Sequence, residues 1–396
     1  MDITIQPGKL SGTVRIIPSK SQAHRLLICA AFADGPTEII CPEINEDISA
    51  TADCLNALGA QITKTTEGYR VIPILSAPEQ AVLNCRESGS TLRFMLPVVG
   101  ALGVNAQFRM AGRLPERPLS PLKEEMERMG CVITHPERNI LRCSGKLRPG
   151  AYQIDGGVSS QFISGLLFAL VLLNEPCTLT VTGKIESGPY IRLTEDALCS
   201  FGANITNGNI PPSLPLKSPG KLSVEGDWSN AAFFYAANAL GSSISIDGLR
   251  QDSAQGDRIC KDILAEHGPL YIDATDIPDL VPILSVAAAR NGGKFTGVRR
   301  LRLKESDRIA STLSMLSSFG IRAEASEDTL TVYPGKFQSC TIQSQKDHRI
   351  AMAAAIGATI ADGPVTILDA QCVSKSYPAF WDIYKHLGGN YEQHIR

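Results

Sequence analysis

Apolar and polar positions along the chain fall into a recurring order. A polar or hydroxyl-rich start leads into an apolar run, a glycine or acidic stop and then a short strand-like piece, and this order recurs six times. The starts are Pro18-Ser19-Lys20-Ser21, Ser88-Gly89-Ser90, Ser159-Ser160-Gln161, Asp227-Trp228-Ser229-Asn230, Asp276-Ile277-Pro278-Asp279 and Asp347-His348-Arg349. Their runs close at Asp34-Gly35, Gly103, Asn174-Glu175, Gly241, Gly292 and Gly363. A second series of stops, at Gly59, Gly130, Gly202, Gly268, Gly320 and Gly388, trails the first by 24 to 28 residues. Glycine just past a helix ends it, and a fixed period marks a repeat architecture, so the pattern predicts six related units of two helices and several short strands.

Residues 1 to about 15 read as strand, with a Pro7-Gly8 turn. A Pro- and Gly-rich tract over 208–220 reads as a loop, and Leu222-Ser223-Val224-Glu225 as a strand. Three units before Gly226 and three after it predict two domains, with the N-terminal strand able to join either. The longest apolar run, Phe162 through Leu173, is too short to span a bilayer.

With 396 residues and 43% hydrophobic content, the chain can bury more than one core. Its formal net charge is −2 and its densest basic cluster is Arg299, Arg300, Arg302 and Lys304, so nucleic acid is excluded as a main partner. Eleven cysteines with no Cys-x-x-Cys and no zinc-type spacing read as reduced, mostly buried thiols. Met1-Asp2-Ile3-Thr4-Ile5 begins a strand rather than a leader. A soluble, cytoplasmic monomer without membrane contact, cofactor or metal is expected.

The unusual charged and hydroxyl groups gather at the helix starts. These ends favour anions, because their N–H groups lack intrahelical partners and the helix dipole is positive there. Lys20, Ser21 and Arg25 belong to the first start, Gly89, Ser90 and Arg93 to the second, and Ser159, Ser160 and Gln161 to the third. Asp279, His348 and Arg349 mark later ones. Second-helix starts are expected to bring Arg117, Ser187, Tyr190, Lys304 to Arg308, and Lys375. Structural roles stand beside the functional ones. Glu305 and Arg308, three apart, suit a helix surface pair; Asp279 suits a cap; Ser159 and Ser160 suit caps; Tyr190 suits a core position.

Eight ordered motifs between positions 18 and 378 carry a resemblance. They are Pro-Ser-Lys-Ser-x-x-x-Arg, Glu-Ser-Gly-Ser-Thr-Leu-Arg, Glu-Arg-Pro, Ser-Ser-Gln-Phe, Ile-Pro-Asp, Leu-Lys-Glu-Ser-Asp-Arg, Asp-His-Arg-x-Ala-Met and Ser-Lys-Ser-Tyr-Pro. In this order the chain resembles the 5-enolpyruvylshikimate-3-phosphate synthases, enolpyruvyl transferases of the shikimate pathway. The resemblance implies an α/β (α+β) fold, a two-domain inside-out α/β barrel in which each domain holds three βαβαββ repeats. It places residues 1–15 with 226–396 in one domain and 16–225 in the other, with the active site in the cleft between them.

It also implies the reaction: the enolpyruvyl group of phosphoenolpyruvate moves to the 5-hydroxyl of shikimate 3-phosphate through a tetrahedral intermediate, releasing phosphate. On that basis Lys20, Ser21 and Arg25 contact the shikimate side, with Arg25 on its carboxylate and Lys20 near the reacting hydroxyl and the departing phosphate. Ser159, Ser160, Ser187 and Lys304 hold its phosphate, beside Gln161 and Tyr190. Gly89, Arg117, Arg308, Arg349 and Lys375 clamp phosphoenolpyruvate, with Lys20, Gln161 and His348 close by. Asp279 orients or deprotonates the hydroxyl and Glu305 protonates the methylene, assisted by Lys20. Glu305 poses a conflict, since a proton donor needs a raised pKa while Lys304 and Arg308 lower it.

Glu87 and Ser88 replace the Asn and Ala found before the glycine in many members, which leaves glyphosate sensitivity open, and Arg300 stands where some have Asn. Two other readings remain at this stage. One is the enolpyruvyl transferase acting on UDP-N-acetylglucosamine, which typically carries a reactive loop cysteine that is missing before Arg117; the other is a non-catalytic polyanion-binding protein.

Overall fold

The structure is a computed structural model describing residues 1–212 and 215–394. Contacts divide the chain into a divided unit, Met1–Ile17 with Gly226–Arg396, and a continuous unit, Pro18–Glu225. The loop expected over 208–220 includes Ser213 and Leu214, which lie outside the described residues.

The chain opens with β1 (Asp2–Gln6) and β2 (Ser11–Arg15), separated by residues 7–10, which form no hydrogen-bonded turn, and entering different sheets of the divided unit. The continuous unit then runs α1 (Lys20–Ala31), β3 (Thr37–Ile40), α2 (Glu46–Ala57), β4 (Gln61–Lys64), β5 (Gly68–Ile72), β6 (Gln80–Arg86), α3 (Gly89–Leu102) and β7 (Asn105–Met110). It continues with α4 (Leu122–Arg128), β8 (Cys131–Glu137), β9 (Ile140–Gly145), β10 (Ala151–Asp155), α5 (Ser160–Leu173), β11 (Cys177–Thr182), α6 (Gly188–Ser200), β12 (Asn209–Ile210) and β13 (Lys221–Ser223). The middle repeat shows the plan. β6 and β7 pair in parallel across α3, β7 pairs antiparallel with β9, and β9 with β8, giving the order β6-β7-β9-β8. In the first repeat the leading strand comes from the far end of the unit, because β13 pairs in parallel with β3.

The divided unit resumes with α7 (Trp228–Ala239), β14 (Ser243–Asp247), α8 (Cys260–Ala265), β15 (Leu270–Asp273), α9 (Val281–Ala288), β16 (Gly293–Thr296), α10 (Arg308–Ser318), β17 (Ala323–Ala325) and β18 (Thr329–Val332). It ends with β19 (Cys340–Gln343), α11 (His348–Ala358), β20 (Val365–Leu368), α12 (Phe380–His386) and β21 (Asn390–His394). β2 pairs with β14, while β1 lies between β20 and β21 in the order β19-β20-β1-β21.

Each unit closes over its own hydrophobic core. Helices rather than sheets form its centre. All eleven residues of α11 are buried, and α3 and α5 are buried nearly all round, whereas β10 and residues 131–134 of β8 alternate buried and exposed positions. α3 and α5 approach closely because Gly165 rests on the Arg93 carbonyl, where any Cβ would collide with backbone. A helix buried on every side can carry polar chemistry only at its ends. Five of the six second-series glycines (59, 130, 202, 320 and 388) take positive φ, as helix stops do, and Gly268 does not. None of the described helices is long and apolar enough to cross a membrane.

Candidate active site

In the continuous unit, Ser19 caps α1 by accepting from the Gln22 amide, which places Lys20 on the first helical residue. Lys20 Nζ pairs with Asp47 Oδ2 at 2.9 Å, and Asp47 sits in the first turn of α2. Arg25 is buried and spends four of its five N–H groups on protein. Nε donates to Thr194 Oγ1 (2.8 Å), Nη1 to the Ser21 carbonyl (2.6 Å), and Nη2 to Ser164 Oγ (3.3 Å) and the Tyr190 carbonyl (2.8 Å). One Nη1 hydrogen lies outside these bonds. Burial pushes its guanidinium down to about 10.

Ser88 caps α3 and leaves Gly89 as its first residue, against which the Arg117 guanidinium lies. Gln161, beside the cap Ser159 and Ser160 at the start of α5, is fixed at both ends of its amide. Nε2 donates to Ser90 Oγ at 2.8 Å, and Oε1 accepts from Arg93 Nη1 at 2.7 Å. Arg93 also donates to the Pro118 carbonyl at 3.1 Å, tying the residue after Arg117 to α3. Ser187 is buried and holds φ at 59°, a left-handed conformation that costs a serine on the order of 1 kcal/mol and is typical of binding sites.

In the divided unit, Asp279 lies on a 3-10 turn, Pro278–Leu280, ahead of α9. It accepts from Lys304 Nζ (3.2 Å), Arg308 Nη1 (2.7 Å) and Arg349 Nη2 (3.1 Å). Arg308 extends the cluster through Nη2 to Glu305 (2.6 Å) and Nε to Asp347 (2.9 Å). Asp347 caps α11 through the Arg349 amide and accepts from Ser306 Oγ, so helix capping and cation holding share one carboxylate. His348 is buried beside it. The 3-10 turn Ala370–Lys375, which ends on Lys375, packs against α11.

Electrostatics follow from this packing. Burial raises the Asp279 carboxyl, but Arg349, Lys304 and Arg308 outweigh it and hold it well below the ordinary carboxylate range. Lys304 is pushed down to about 8 by burial, with Asp279 opposing. Burial lowers Arg308 too, yet Asp347, Glu305 and Asp279 raise it above its ordinary value. Three cations thus stand ready-charged among three carboxylates.

The sequence pattern expected Arg117, Lys304 and Lys375 at α-helix starts, and the structure corrects this. Arg117 follows a 3-10 turn, Leu114–Glu116, five residues before α4; Lys304 follows a second, Arg299–Leu303; Lys375 ends a third. Glu305 likewise precedes α10, whose first residue is Arg308, although the pair still forms. Sequence reading passed over Asp47, noted Arg93 only among the groups at the second helix start, and noted Asp347 only as the opening of another start. Asp47 and Asp347 carried a signal, each being an acid at a helix start.

The EPSP synthase (3-phosphoshikimate 1-carboxyvinyltransferase) family matches residues 5–384. A 3-phosphoshikimate 1-carboxyvinyltransferase of Clostridium beijerinckii is 38% identical, covering 99% of this chain and 98% of that protein. One from Clostridioides difficile is 36% identical with the same coverage. Among solved structures, an EPSP synthase of Acinetobacter baumannii aligns with TM-score 0.81 at 23% identity over 99% of this chain and 100% of that one. An enolpyruvyl transferase of Streptomyces tendae aligns with TM-score 0.75 at 17% identity, over 100% and 99%. These likenesses give the two-domain inside-out α/β fold and do not favour the UDP-N-acetylglucosamine or non-catalytic readings. On fold and sequence together, the chain belongs to the EPSP synthase (3-phosphoshikimate 1-carboxyvinyltransferase) family.

Proposed function

We propose that this protein transfers the enolpyruvyl group of phosphoenolpyruvate to the 5-hydroxyl of shikimate 3-phosphate and releases phosphate. The observation that carries the reading is the cage of Lys304, Arg308 and Arg349 around Asp279, with Glu305 on the same arginine. Each substrate bears a phosphate and a carboxylate, and incoming anions would replace the carboxylates now holding these cations.

Shikimate 3-phosphate is assigned to Lys20, Ser21 and Arg25 on its ring side, with Arg25 donating a single N–H. Its phosphate goes to Ser159, Ser160, Ser187 and Lys304, beside Gln161 and Tyr190. Phosphoenolpyruvate is assigned to Gly89, Arg117, Arg308, Arg349 and Lys375, near Lys20, Gln161 and His348. Asp279, held as a carboxylate by three cations, is a weak base, so its role is to accept and orient the 5-hydroxyl hydrogen. Glu305 protonates the methylene carbon as C2 gains the ether bond and the hydroxyl proton passes to Asp279; Glu305 then takes a proton back from the new methyl group as the C2–O bond to phosphate breaks, and phosphate leaves with the proton from Asp279, assisted by Lys20. The role of Glu305 requires Arg308 to shift from Glu305 onto phosphoenolpyruvate, which removes the nearest cation and raises the carboxyl.

The test is phosphate release by purified protein given both substrates and then each alone; release without shikimate 3-phosphate, or none with both, defeats the reading. Cytoplasmic, monomeric operation belongs to the same proposal and is checked by cell fractionation and sedimentation.

A further inference from the structure

Four fully buried polar side chains form a continuous chain across the first three helices of the continuous unit. His24 Nδ1 lies 2.7 Å from Thr51 Oγ1, Thr51 Oγ1 lies 2.8 Å from Thr91 Oγ1, and Thr91 Oγ1 donates to Ser88 Oγ at 2.7 Å. All four residues are fully shielded from solvent. Hydroxyl arithmetic fixes the direction. Thr91 has one hydrogen, shared between Ser88 Oγ at 2.7 Å and the Asp47 carbonyl at 3.4 Å, so it has none for Thr51 and accepts from it; Thr51 then accepts from His24, which carries its hydrogen on Nδ1. His24 Nε2 is buried with no hydrogen-bond partner, so the imidazole is neutral.

The chain ends where the site begins. Ser88 Oγ also accepts from the Thr91 amide and so caps α3, whose first residue, Gly89, carries the Arg117 guanidinium against its Cα. Thr91 Oγ1 lies 3.4 Å from the carbonyl of Asp47, the partner of Lys20. One run of hydrogen bonds therefore links α1, the first turn of α2 and the first turn of α3. Apolar packing could hold these helices together but would fix their register less sharply, because dispersion contacts are not directional.

The geometry points to His24, Thr51, Thr91 and Ser88 as a positioning network that sets the Gly89 turn against Lys20 and thereby aims Arg117 at phosphoenolpyruvate. None of the four touches substrate. The inference rests on the assignment of Gly89 and Arg117 to phosphoenolpyruvate, and it separates two expectations. A network with only a structural part would, when cut, lower stability and leave affinities alone. A positioning network would, when cut, weaken phosphoenolpyruvate selectively.

The test uses the full chain carrying Thr51→Val, Thr91→Val, the pair together, and the restoring variant Thr51→Ser. The KM for phosphoenolpyruvate is expected to rise about tenfold in each valine variant, the scale of one buried hydrogen bond, with shikimate 3-phosphate affinity unchanged. The double variant should be no worse than either single one, because the chain is already cut, and Thr51→Ser should restore the wild-type value. Ile48→Val, a core change on α2 outside the chain, should lose stability without moving either KM. An unchanged phosphoenolpyruvate KM in the valine variants, or equal weakening of both substrates, overturns the inference. The Gly89 amide resonance supplies a readout independent of turnover: it should move in both valine variants and return in Thr51→Ser, and a stationary resonance also overturns the inference. Wild-type protein that turns over nothing, with the resonance still moving, defeats the functional reading and leaves the positioning role standing.

Discussion

Gly89→Ala is a one-carbon test of the phosphoenolpyruvate side. A Cβ at this position would lie 2.5 Å from Arg117 Nη1, 2.9 Å from Cζ and 3.2 Å from Nη2. Ordinary contact needs about 3.4 Å or more, so the guanidinium must retreat by about 1 Å. The side chain can swing aside, but the Pro118 carbonyl bound to Arg93 holds the backbone beside it, so the retreat moves the guanidinium off its place against α3. A displacement of that size at a charged clamp costs about a hundredfold in kcat/KM, or about 2.7 kcal/mol. The backbone itself does not object, since Gly89 is not among the residues with positive φ and alanine is the better helix former. Steady-state phosphate release with each substrate varied in turn, with thermal unfolding alongside, checks this. The expected result is a large rise in the phosphoenolpyruvate KM, an unchanged shikimate 3-phosphate KM and an unchanged or slightly higher Tm. An unaltered phosphoenolpyruvate KM would refute the placement of Arg117, and a matching loss for both substrates would show that the first turn of α3 serves the whole site.

Three further outcomes are expected. Glu305→Gln should lower kcat by a factor of about 10² to 10⁴ while shikimate 3-phosphate binding, followed by calorimetry, stays the same; equal losses in both would remove it from proton transfer. Lys304, pushed down to about 8, is charged below that pH and neutral above it, so affinity for shikimate 3-phosphate should fall as pH rises through about 8; Lys304→Arg should abolish that dependence, and a persistent fall would place the titrating group elsewhere. Burial pushes His24 down to about 3 from its ordinary 6.5, so its contribution to stability is complete above about 6.5 and is lost as pH falls toward 3, at up to about 1.4 kcal/mol per pH unit. Chemical denaturation between pH 7 and 4 should show this component of the slope in wild type and lack it in His24→Asn, and identical slopes would refute it.

The sequence by itself determined what is local. Caps and stops depend on a few neighbouring residues, so Ser19, Ser88, Asp227 and Asp347 could be placed at helix starts and the two glycine series at helix ends. Helical burial was written into uncharged runs such as Phe162 to Leu173, which have no polar face to give to solvent. The family's chemistry was legible as well, because its motifs are short and ordered. What the tertiary structure decided is which distant residues meet. Nothing in the spacing joins Asp279 to Arg308 and Arg349, 29 and 70 residues on, or makes Asp347 both a helix cap and a partner of Arg308. Nor does local pattern place β1 between β20 and β21, or close the first repeat with β13 from the end of its unit. Strand order and buried ion pairing are set by which arrangement leaves the fewest charges and backbone groups without partners, and that is a property of the folded whole.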